Sequence, residues 1–69
     1  MKRTQRFERR LKDAKEGNEI EVLKGYKQEI EKQRTRMNAS HNGFIRTCCQ
    51  QEIDQLKDEM EAIEMEVVG

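Results

Sequence analysis

The chain has no proline and no tryptophan, and its aromatic residues are two phenylalanines and one tyrosine. Without proline, nothing in the sequence obliges a helix to break. With only 33% of 69 residues hydrophobic, a sheet-built core is disfavoured and long solvated helices are favoured. After Met1-Lys2-Arg3 no apolar stretch follows, so a secretory leader is not expected, and no run approaches the length of a membrane span. The two cysteines, Cys48 and Cys49, are adjacent and form no disulfide framework, which suits a reduced, cytoplasmic protein. The length allows a single domain, 1–69.

Charge is what the chain has in abundance: 41% of residues are Asp, Glu, Lys or Arg, and the net charge is zero. The zero conceals a split. Residues 1–36 hold 12 Lys and Arg against 7 Asp and Glu, a net of +5, whereas residues 37–69 hold 2 against 7, a net of −5. Such a division is complementary to itself, within a chain or between chains. Low hydrophobicity on its own would also suit disorder, so the order of the apolar residues decides.

That order is helical. Cys49, Ile53, Leu56, Met60, Ile63 and Val67 alternate spacings of four and three, a stripe along one helix face. With Phe44 and Ile45 at its start, the segment predicts a helix over about residues 43–67. A second stripe, Ile20, Leu23, Tyr26, Ile30 and Met37, predicts a helix over about 19–38. Gln33 interrupts it at a position where a polar residue can fix register or oligomer state. Between the two, Asn38-Ala39-Ser40-His41-Asn42-Gly43 collects the residues that cap helices and tolerate left-handed backbone. A short loop makes neighbouring helices antiparallel. Folding there sets Ile45 by Met37, Ile53 by Ile30, Leu56 by Tyr26, Met60 by Leu23 and Ile63 by Ile20. The stripes match along their length.

The first residues carry a weaker pattern, Phe7, Leu11 and Ala14, whose register fails to continue into Ile20. Gly17 suits a helix end, and Asn18 followed by Glu21 has the form of a capping box. A separate first helix over about 3–16 is preferred; one long helix bent at Gly17 is the alternative. The expected fold is therefore all-α, an antiparallel helical hairpin of coiled-coil type with a short third N-terminal helix set off by a kink at Gly17-Asn18. A bare hairpin leaves half of each stripe wet. The chain should then dimerise through the seam, tuck its first helix back, or fold on a target.

For chemistry the sequence offers little. Catalysis needs positioned groups in a concave, water-excluding pocket, and no catalytic residue or cofactor is assigned. Cys48, Cys49 and His41 fall short of the four spaced ligands of a structural zinc site, so Cys49 is expected in the seam with Cys48 beside it. The basic run Arg3, Arg6, Arg9 and Arg10, with Phe7 and Leu11 among the cations, has the makeup of an arm projecting to an acidic or apolar groove on another protein, and equally of a segment whose Phe7 and Leu11 cap the bottom of the hairpin. The same cations could meet nucleic-acid phosphates, but Glu8, Asp13 and Glu16 interleave with them as on a solvated helix.

One stretch resembles a known family. Ile30-Glu31-Lys32-Gln33-Arg34 and Met37, followed by Gln51-Glu52-Ile53-Asp54-Gln55-Leu56, looks somewhat like the small helical-hairpin aspartyl-phosphate phosphatases of spore-forming bacteria. The second helix of that family carries Ser-Gln-Glu-Leu-Asp. Here Gln50 stands in the serine's place, and the first 29 residues have no counterpart. The resemblance implies a helical hairpin and assigns no functional residue.

Taken together, the sequence predicts a small non-catalytic protein-binding factor, an inhibitor or adaptor of the kind phages and mobile elements encode, acting on a protein target and forming a homodimer, with no membrane association. A nucleic-acid-binding hairpin dimer is the alternative, and a structural coiled-coil scaffold or assembly chaperone the second.

Overall fold

The computed structural model describes residues 4–68, and among them all regular structure is helical. The elements are α1 (Gln5–Asp13), a turn segment Ala14–Asn18, α2 (Glu19–Ala39) and α3 (Gly43–Val68). The antiparallel pairing of α2 with α3 is the expected hairpin, and the molecule measures 41 × 21 × 18 Å.

Helix α1 opens on Thr4, whose backbone is extended at φ −93, ψ 165 and whose Oγ1 accepts from the Phe7 amide at 3.0 Å. This satisfies one of the amides a helix start leaves without a partner. The segment after α1 turns sharply at Gly17, held at φ 105, ψ 4. That region is open to glycine and closed to most other residues, and no other described residue enters it.

The turn reverses the chain. Arg10 and Glu29 are 19 positions apart, yet two guanidinium nitrogens of Arg10 lie 2.8 Å from the Glu29 carboxylate oxygens. In one continuous helix that separation would span about 28 Å. The first helix is thus distinct and lies back on the hairpin. Asn18, however, forms no side-chain cap. Its backbone, at φ −99, ψ 27, departs from the extended conformation a capping side chain needs, so the expected capping box is absent.

The α2–α3 connection is built by side chains. Ser40 Oγ accepts from the Asn42 amide at 3.1 Å, and Asn42 Oδ1 accepts from the amides of Phe44 at 2.8 Å and Ile45 at 3.4 Å. Gly43 is the first residue of α3. No residue of this cluster adopts left-handed backbone.

Phe7, Leu11 and Ala14 of the first segment join Tyr26, Ile30, Ile53, Leu56 and Ile63 in one core, flanked by half-buried Leu23, Met37, Met60 and Val67. Cys49 is buried and Cys48 exposed. One assignment needs correction. Ile20, expected in the seam, is 80% exposed; it shares a helical line with the exposed Lys24, Lys27 and Glu31, while half-buried Val22 and Leu23 pack on the core. Near the end of α3, spacing allows either Glu59 or Met60 between Leu56 and Ile63. Glu59 is the fully buried one.

Candidate functional site

Glu59 anchors a polar cluster that ties the three helices together. Its Oε1 accepts from Arg6 Nε at 3.2 Å and Tyr26 Oη at 2.9 Å. Its Oε2 accepts from Arg6 Nη2 at 2.6 Å and Gln55 Nε2 at 2.9 Å. The remaining arm of Arg6 reaches Glu52 Oε1 at 2.7 Å. Above it, Arg10 grips Glu29 with two nitrogens and lays its guanidinium carbon 4.5 Å from the centre of the Tyr26 ring, within cation–π range.

A carboxylate taken wholly out of water is tolerated only if paired and hydrogen-bonded, and Glu59 is both. Burial pushes its pKa up, but the hydrogen bonds from Arg6, Gln55 and Tyr26 outweigh burial and hold it below the ordinary carboxylate value. The bidentate bond from Arg10 lowers Glu29 as well. Burial, with the bond to Glu59 second, raises the Tyr26 phenol. The hydrogen bond to Glu59 raises Arg6 above its already high value. Among the described residues no buried polar side-chain atom lacks a partner. The cluster is saturated, so its chemical effect is to clamp α1 onto the hairpin.

This clamp overturns the projecting arm. Phe7 is fully buried and Leu11 nearly so, at 0% and 5% exposure, while Arg6 and Arg10 spend their guanidinium groups on internal carboxylates. Arg9 remains exposed, and Arg3 lies outside the described residues. The physical reason is the open seam: an apolar line on α1 gains more by covering the chain's own hairpin than by standing in water.

Helix α1 is short. At about 1.5 Å per residue it covers little more than a third of the length of α3, and its reach ends near Glu52. Beyond that point, among the described residues, α2 and α3 form a two-helix tip. A groove of about 300 Å³ runs between them there, with Gln33 and Arg36 on one wall and Ile45, Cys49 and Glu52 on the other. Phe44 and Cys48 also line it, and Phe44 is 77% exposed. Phe44 was legible only as the opening of a helix; its exposure depends on how α3 leaves the loop. Glu59 is not among the residues the sequence singles out. Its three-and-four spacing to Leu56 and Ile63 was the available signal.

No group of three or more His, Cys, Asp or Glu among the described residues is placed to hold a metal. No helix among them is long and apolar enough to cross a membrane. Protein-family models, curated proteins and solved structures give no match to this chain, so the phosphatase resemblance gains no support from them.

Proposed function

We propose that the chain is a non-catalytic protein-binding factor, an inhibitor or adaptor that covers or bridges a functional surface of a larger protein with its hairpin tip. The observation that carries this reading is Phe44. A phenylalanine ring 77% exposed beside a groove of mixed polar and apolar lining is the kind of aromatic anchor found at protein interfaces. The rim supplies charge of both signs in Arg36 and Glu52, which favours register over bulk adhesion. The rest of the molecule gives the tip a rigid base, since the clamp fixes α1, α2 and α3 against one another.

Nucleic-acid binding is less well supported than the sequence alone suggested. Two of the four arginines in the basic run are neutralised inside the fold, and the exposed Arg9, Lys12 and Lys15 alternate with Glu8, Asp13 and Glu16.

The test is affinity capture from the native host with mass spectrometry, using wild type, Phe44→Glu and Arg34→Glu. The expected result is one protein retained by wild type and Arg34→Glu and lost by Phe44→Glu. Retention by all three would remove the tip as the contact surface.

A further inference from the structure

We infer that the tip groove is filled by the tip of a second copy of this chain, in a two-fold dimer where each Phe44 enters the other's groove. The inference rests on the reading of the tip as a protein contact surface and names its resident occupant.

The first ground is what the same face already accepts. In its lower half the α2–α3 surface takes a helix bearing an aromatic ring beside arginine: Phe7 is buried and Arg6 pairs with Glu52 and Glu59. The upper half is the continuation of that surface, beginning at Glu52, which belongs both to the clamp and to the groove. A suitable occupant is another helix end with an aromatic ring and a nearby cation. The start of α3 supplies the ring, with Phe44 exposed, and Arg36, which lines the same groove, supplies the cation.

The second ground is symmetry. An isologous contact needs one patch that is complementary to itself. Here knob and hole are neighbours: Phe44 and Cys48 stand one helical turn apart on α3, and the hole lies between them and α2. Two copies turned about an axis close to Cys48 exchange rings, each Phe44 reaching the other's Cys49 and Glu52.

Charge completes the case. At the tip, Arg36 and Glu52 line the same groove with opposite charge. A two-fold arrangement brings Arg36 of one copy toward Glu52 of the other. Both stripes of the upper seam, including half-buried Met37 and Ile45, then leave water. A foreign partner of the tip would compete with this contact, so self-association would set how much tip is available.

Sedimentation velocity over a dilution series tests the dimer. Wild type is expected to show a concentration-dependent doubling of its 8.2 kDa mass, and Phe44→Glu to stay monomeric with unchanged helical circular dichroism. In a Cys49→Ala background, a short bis-maleimide should link Cys48 to Cys48 between copies, with the product lost in Phe44→Glu. Arg36→Glu should weaken association at least tenfold, since it sets like charges together. A wild type monomeric at several hundred micromolar, or a Phe44→Glu variant that still dimerises, overturns the inference. If the wild type is monomeric and Phe44→Glu nevertheless loses the captured host protein, the dimer fails while the proposed function stands. If the dimer forms and host capture ignores Phe44, the reverse holds.

Discussion

Arg6 holds Glu59 through both sides of a fork, Nε at 3.2 Å and Nη2 at 2.6 Å, across 53 positions of sequence. The acid is fully buried and the base about one-third exposed, so the bond closes the core at its edge. It also makes α1, only nine residues long, a fixed element. Isolated helices of that length are marginal in water.

Removing the cation should be costly. Arg6→Ala strands a buried carboxylate, which destabilises by about 3–5 kcal/mol. Arg34→Ala breaks an exposed pair with Glu31 and should cost under about 1 kcal/mol. Urea denaturation followed by circular dichroism separates the two. Equal losses would mean that the Arg6–Glu59 bond counts for no more than a surface contact.

The two phenylalanines should behave oppositely. Phe7→Ala empties a closed core position and should lose about 3–5 kcal/mol. Phe44→Ala, measured on dilute protein, should change stability by no more than about 0.5 kcal/mol, as surface substitutions do. A large loss at Phe44 would place its ring in the monomer core.

Acid and alkali should both loosen the fold. Glu29 and Glu59 lie below their ordinary value of 4.5 when folded. The unfolded chain therefore binds protons more readily near that pH, and the stability they contribute, present above 4.5, is lost as pH falls through the folded values. Tyr26 is raised above its ordinary 10.0. Its contribution is complete below 10.0 and is lost as pH climbs toward the raised value. Thermal melts from pH 2 to 12 should show a plateau with a fall on each side. In Glu59→Gln the acid-side fall should become shallower; an unaltered acid limb would mean that Glu59 does not titrate with folding.

Glycine-to-alanine changes should differ in sign. At Gly17 an added Cβ meets nothing within 4 Å, so the penalty comes from φ 105 alone, about 1–2 kcal/mol. At Gly25, inside α2 and equally open, alanine should stabilise by about 0.4–1 kcal/mol by restricting the unfolded chain. Denaturation midpoints moving in the same direction would contradict the turn geometry.

The hairpin was legible because the two stripes, Leu23 to Met37 and Cys49 to Val67, keep helical spacing and match when folded at the loop. The break at Gly17 was legible for a similar reason, since the line through Phe7 and Leu11 does not continue past it. Where that first helix goes was beyond periodicity. Docking depends on a long-range ion pair, and a Glu bound for the core carries the same letter as its solvated neighbours Glu61 and Glu64. Ile20 misled because two successive three-residue steps, Ile20 to Leu23 to Tyr26, set it about 120° around α2 from Tyr26. The tip groove followed from none of these patterns: it exists because α1 is too short to cover the whole hairpin.

Tyr26 is the single tyrosine of a chain without tryptophan, and its hydroxyl donates to a carboxylate where three helices converge. Ultraviolet emission excited near the tyrosine band therefore reports on one ring at one junction, dimmed while that proton is shared. Parting α2 from α3 should brighten it, since the shared proton joins those two helices, so the protein carries an intrinsic optical gauge of hairpin closure and needs no dye.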